Sequence, residues 1–264
     1  MAKKSAPKKT EDKKASAKKA DAAPEAKSEA AGNLPMFYSD ITVLNVKSHA
    51  DLKVKELADF SFASQTNSIV LTAAEFSMAA LDYPIVFGRS GDSYIPFAVT
   101  GYKAGENVFV DDKGKWREKT YIPAYVRRYP FLLAESPDKS SLSLAIDSAY
   151  DGLNKKSGNA IYENGEPSTL SKNALNFCAR FRSELERTNN LMKKLEEFDL
   201  LIERSATVQL SDKEPARVVG FSIVDEGKLN ELEDAKFLEL RKSGLLTLIY
   251  CHLWSMRIWD NLLA

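Results

Sequence analysis

Between residues 168 and 198 apolar side chains, with Thr188 among them, recur at Leu170, Ala174, Phe177, Phe181, Leu185, Thr188, Leu191, Leu195 and Phe198. The steps are all three or four residues, the helical period, so the spacing predicts one long amphipathic helix. Lys172, Arg182, Glu186, Lys193 and Glu197 fall on its other face, which reads as solvated surface. A GEP turn at 165–167 precedes the helix, and its apolar stripe has to be covered by other elements of the chain.

Those elements differ on the two sides of the helix. From residue 34 to about 147 the chain reads as short strands and turns, with β-branched or aromatic runs at 85–87, 94–101 and 107–110 bounded by SGDS, KAGEN and DDKGK. Inside this meander, residues 72–83 (TAAEFSMAALDY) predict one short helix, with Thr72 and Glu75 as a capping box and Pro84 as its stop. After the long helix a hairpin is predicted, with strands near 201–210 and 217–224 joined by SDKEP. Two closing helices follow, 229–243 ended by Gly244 as a C-cap, and 245–262. The fold expected is α+β: an antiparallel β meander region, the long helix, a β-hairpin able to join the sheet, and a C-terminal helical pair. Residues 35–264 are expected to form a single domain.

Residues 1–34 stand apart. Lysine and arginine balance aspartate and glutamate at 37 each, yet the first 31 residues hold nine lysines against five acids. Lysine doublets at 3–4, 8–9, 13–14 and 18–19 repeat every five residues, a period that spirals around a helix and builds no basic face. With no aromatic and no aliphatic side chain larger than alanine after Met1, the segment is expected to be a disordered tail. It reads first as a solubilising arm, and secondly as a contact for nucleic acid or an anionic membrane. The tail has no apolar stretch of the kind that marks a secretory signal. Residues 245–254 are too short to span a bilayer. The two cysteines, Cys178 and Cys251, fit buried thiols of a reducing compartment, and a soluble cytoplasmic protein is expected.

Catalytic signatures are weak throughout. Two histidines, His49 and His252, are too few and too far apart for a histidine metal site. Cys251 and His252 are neighbours on a helix and point about 100° apart, so core packing is the better reading of both. No GxxxxGK[ST], GxGxxG or GxSxG occurs; GRSGD at 88–92 reads as a hairpin turn, and Asp111 with Asp112 as turn chemistry. No catalytic residue, metal ligand or cofactor site is nominated.

The segment YIPAYVRRYPF at 121–131 is different, because it sets two arginines among aromatics and prolines. A guanidinium there needs a partner, and its planar fork best meets a carboxylate or phosphate. Either an internal acid such as Glu75, Asp82, Asp111, Asp147 or Asp225 supplies it, or one arginine faces outward to an anionic ligand.

Taken in order, FSFASQTNSIVLTAAEF, YPIVF, GENVFVDDKGKW, YIPAYVRRYPF, GFSIVDEGKL and SGLLTLIYCHLWS resemble the SapC family over residues 36–263. The resemblance implies a link to bacterial surface-layer export, since the family is named for a gene clustered with surface-layer exporter components. Relatives are encoded near outer-membrane receptor and oxygenase or halogenase-like genes. It carries over no catalytic residue. The chain departs from the family in its added tail and at 146–147, which lack a preceding cysteine. A non-enzymatic accessory or binding protein of surface-protein export or peptide handling is therefore expected. Arg127, Arg128, Tyr121, Tyr125, Tyr129, Trp116 and Asn107 are its candidate contacts for a peptide, an exported protein or a small anion. The rival reading is an enzyme acting on a small molecule or peptide.

Overall fold

The structure, a computed structural model, describes residues 34–136, 141–208 and 216–263. The lysine-rich segment and the SDKEP connection lie outside the described residues. The chain opens with β1 (Ile41–Val43), a helical turn α1 (Val46–His49) capped by Asn45, and β2 (Lys53–Val54). Strand β3 (Ser68–Val70) leads to α2 (Phe76–Ala79) and the hairpin β4 (Ile85–Ser90) and β5 (Ser93–Val99). A single turn, α3 (Ala124–Arg127), then precedes β6 (Phe131–Glu135) and β7 (Leu142–Asp147). Short strands β8 (Leu153–Asn154), β9 (Asn159–Ala160), β10 (Tyr162–Glu163) and β11 (Glu166–Pro167) come before the long helix α4 (Thr169–Glu197). The remainder is β12 (Leu201–Val208), β13 (Ala216–Val224), α5 (Glu226–Asn230), α6 (Asp234–Ser243), α7 (Leu245–Ser255) and a 3-10 turn at Trp259–Leu263.

The fold is α+β, as expected, with antiparallel sheets. The β region is divided rather than one meander: a five-stranded sheet runs β12-β13-β4-β5-β3, and a three-stranded one runs β1-β7-β6. The strand expected at 107–110 does not form. Asn107 accepts from the Phe109 amide at 3.0 Å and folds the chain back on itself, leaving a lone bridge between Val110 and Trp116. The short helix at 72–83 is reduced to a 3-10 turn at Ala73–Glu75 followed by α2, with the Glu75 carboxylate reaching back to the Thr72 amide at 2.8 Å. The closing pair is also cut shorter. A turn at 231–233 separates α5 from α6 and sets Leu232 against the main core. Gly244, at φ 79, ends α6 in the left-handed conformation that glycine tolerates.

Helix α4 covers its predicted span and is capped by Ser168, whose Oγ accepts from the Ser171 amide at 3.2 Å. Its stripe serves two cores. Phe181, Leu191 and Leu195 enter the main core with Phe76, Tyr83, Phe87 and Phe97. One helical stretch earlier, Cys178, Leu170 and Ala174 pack against Phe131 and Ile146 in a smaller cluster. Each fully buried ring contributes about 2–3 kcal/mol through the apolar surface it removes from water.

His252 joins α7 to the sheet. Strands β13 and β4 pair at Phe221 with Gly88 and at Ser222 with Phe87. Two positions further along the same register, Val224 and Ile85 are bridged by the imidazole instead. Nε2 accepts from the Val224 amide at 3.0 Å, and Nδ1–H donates to the Ile85 carbonyl at 2.7 Å. The bond from Val224 requires the neutral ring, and burial pushes its pKa down to about 4 despite the Ile85 bond.

Candidate functional site

In the segment 121–131 Pro123 stands at the N-cap of α3, and a cis peptide joins Tyr129 to Pro130. One turn of helix sends its two arginines to different environments. Arg128 is buried, its guanidinium 4.0 Å from the centre of the Tyr125 ring, 5.0 Å from Phe181 and 5.5 Å from Tyr38. Such a cage suits a flat, weakly hydrated cation. Arg127 is exposed. Its Nε donates to the Ile122 carbonyl at 2.9 Å and its Nη2 to the Tyr121 hydroxyl at 3.0 Å, while the Tyr121 and Phe177 rings each lie 5.4 Å away.

The internal acids do not reach Arg127, which forms no ion pair among the described residues. Glu75 is linked to it through one hydroxyl: Tyr121 Oη donates to the Glu75 Oε1 at 3.1 Å. The same carboxylate accepts from the Ala124 amide at 2.6 Å and from the Thr72 amide and hydroxyl, both at 2.8 Å. It is thus solvated by four neutral donors. Burial, and then Glu75, push the Tyr121 phenol up to about 12, so it stays a donor. Asp82 accepts from the Tyr121 amide at 2.7 Å, and Asp147 from the Tyr129 hydroxyl at 3.2 Å and the Asp40 amide at 3.0 Å. Asp111 closes its own loop by accepting from the Lys115 amide at 2.8 Å, and Asp225 caps α5.

Asn107 and Trp116 are scaffold contacts. Asn107 is buried and donates to the Ala63 carbonyl at 3.0 Å; Trp116 is buried with its Nε1–H on the Tyr83 hydroxyl at 3.2 Å. Tyr125 is buried under the Arg128 guanidinium. Neither Asn107, Trp116 nor Tyr125 lines the grooves beside the arginines.

Two grooves share Arg128 and Cys178 as a common wall. The smaller, about 360 Å³, brings Arg127 and Tyr129 together over a floor that includes Leu57, Pro130, Leu170 and Phe177. Its charged residues are Arg127, Arg128 and Lys55 against Glu56. The larger, about 640 Å³, lies between β6 and α4. Phe177 and Leu170 belonged to the apolar stripe of α4, but periodicity could not show that they meet a groove. Lys55 and Glu56 carried no signal in sequence.

The thiols are unsuited to nucleophilic work. Burial pushes Cys178 up to about 11 and raises Cys251, so each stays protonated near neutral pH. Among the described residues no group of three His, Cys, Asp or Glu converges to hold a metal ion, and no helix is long and apolar enough to cross a membrane.

The SapC family model matches residues 44–262, most of the chain and the whole of the arginine segment. The chain belongs to the SapC family. No curated protein and no solved structure matches it. The stretch that SapC shares here therefore contains both grooves' shared wall, α3 and all of α4.

Proposed function

We propose that this SapC-family chain is a non-catalytic accessory protein that holds the anionic group of a ligand at Arg127. The observation that carries this reading is an exposed guanidinium at an apolar groove, bonded only to neutral acceptors. A guanidinium has five N–H donors. Two are used, by Ile122 and Tyr121, which leaves Nη1 and one Nη2 hydrogen as a fork for a carboxylate or phosphate. Lys55 adds charge of the same sign, and the apolar floor suits the uncharged body of the ligand. With Glu56 as the acid in its lining, the groove has no pair of carboxylates to divide acid and base work. The family resemblance supports a place in surface-protein export or peptide handling on the cytoplasmic side, with an exported peptide as one ligand class.

The test is retention. Wild-type protein and an equally folded Arg127→Ala variant are incubated with native cell extract, washed, and their bound small molecules and peptides identified by mass spectrometry. Loss of a charge-assisted pair at this site corresponds to about ten- to a hundredfold weaker binding. The wild type is expected to hold acidic compounds that the variant releases. Identical bound sets end the proposal.

A further inference from the structure

Two runs of chain line the 360 Å³ groove beside Arg127. From α4 come Leu170, Asn173, Ala174 and Phe177, spaced by threes and fours and therefore on one face of the helix, over about 10 Å. From the end of β2 come Val54, Lys55, Glu56 and Leu57, a run that reaches at most about 10 Å. The two ends of the groove differ. At one end the Arg127 guanidinium lies 5.4 Å from the Phe177 ring, and Leu57 packs against the cluster that holds Tyr129. At the other, Val54 and Leu170 pack around Phe131 and Ile146, and Asn159 stands across from Val54 in the β2–β9 ladder. Asn173 falls between Leu170 and Phe177.

The polar groups along this line are unengaged. Among the described residues the side-chain carboxamides of Asn159 and Asn173 make no hydrogen bond, and Lys55 and Glu56 form no ion pair. A carboxamide offers a donor and an acceptor side by side, which matches the C=O and N–H of a peptide group and has nothing to bond in a hydrocarbon body. The groove thus presents a cationic fork at one end, amide partners further along, and an apolar floor beneath both. Its volume is near the small end of the range for ligand pockets, so it suits the end of a chain. A C-terminal residue brings a carboxylate and a side chain to the same place. An internal aspartate or glutamate uses its one side chain on the fork and leaves the floor uncovered.

We propose that this groove captures the free C-terminus of a peptide that ends in an apolar residue. The terminal carboxylate meets the Arg127 fork, with Lys55 adding charge of the same sign. The last side chain lies over Leu57, Pro130 and Phe177, and the preceding peptide groups bond Asn173 and then Asn159. This rests on Arg127 holding an anion, and it adds the class to which that anion belongs.

Pentapeptides of serine and alanine ending in leucine, phenylalanine or valine, labelled with fluorescein at the N-terminus, are titrated into the full chain and followed by anisotropy. Each is made as the free acid, as the C-terminal amide, and as an amide with one internal aspartate. The free acids are expected to bind, and both amidated forms to bind at least tenfold more weakly. A double variant, Asn159→Ala with Asn173→Ala, is expected to weaken free-acid binding at least fivefold at an unchanged Tm, since both side chains are exposed. Decanoate, titrated by calorimetry, carries the same carboxylate on a body without amides. Absence of binding by every free acid, equal binding by the amides, or wild-type affinity in the double variant overturns the proposal. If decanoate alone binds, and Arg127→Ala abolishes it, the anionic groove stands and the peptide C-terminus falls.

Discussion

At the scale of single residues, the Tyr121 hydroxyl links a buried carboxylate to an exposed cation. It donates to Glu75 and accepts from Arg127, so each end is oriented by the other. Replacing it in Tyr121→Phe takes one of four donors from Glu75 and one of two acceptors from Arg127. A loss of about 1–2 kcal/mol in urea unfolding is expected, together with several-fold weaker retention of acidic ligands. Unchanged values for both quantities would mean that the hydroxyl only fills space. His252 makes a second residue-scale prediction, with a sign set by its lowered pKa. Between about 4 and the ordinary 6.5 the unfolded chain binds a proton that the folded chain refuses. The contribution is fully present above pH 6.5 and lost as pH falls toward 4, a change of about 3 kcal/mol. Urea titrations at pH 7 and pH 4.5 should show this fall, and His252→Asn, though less stable at pH 7, should show a shallower one.

At the scale of elements, close approach between β4 and β5 depends on Gly88. A Cβ there would lie 2.7 Å from Phe97 Cε2, and Phe97 is fully buried. Gly88→Ala is expected to cost about 1–3 kcal/mol, read as a lower urea midpoint at constant slope. Helix α4 was legible in sequence because its stripe repeats over eight turns and its cap is local: Ser168 needs only the Ser171 amide. The hairpin after it was equally plain. The run at 107–110 was not, because its residues are strand-like and only the Asn107 side chain bond to Phe109 diverts them. Likewise nothing in TAAEFSMAALDY shows that Glu75 will be drawn to the Ala124 amide and Tyr121, 49 and 46 residues away. Arg127 and Arg128, adjacent and identical in sequence, are separated by one turn of α3 into an exposed and a buried guanidinium.

At the scale of the whole molecule, α4 ties the two larger regions together, since one stripe of side chains enters both the main core and the cluster around Phe131 and Ile146. Residues 35–264 are therefore expected to unfold in one step. Trp116 and Trp259 report on the main core alone, whereas far-ultraviolet circular dichroism reports on every element. Coincident urea transitions by the two probes are the expected result; a separate earlier transition by circular dichroism would show that the region around β6 and β7 melts independently. Local patterns of the sequence by themselves determined the class of fold, the span of α4, the hairpin, the Gly244 cap, the burial of His252 and the likeness to SapC. Each of these depends on side-chain periodicity, on caps a few residues apart, or on ordered motifs. Only the tertiary structure decided that the strands divide into separate sheets, that Arg127 rather than Arg128 faces the solvent, and that Glu75 acts through Tyr121. Those outcomes arise where segments distant along the chain are packed together, and packing across such distances leaves no period in the sequence.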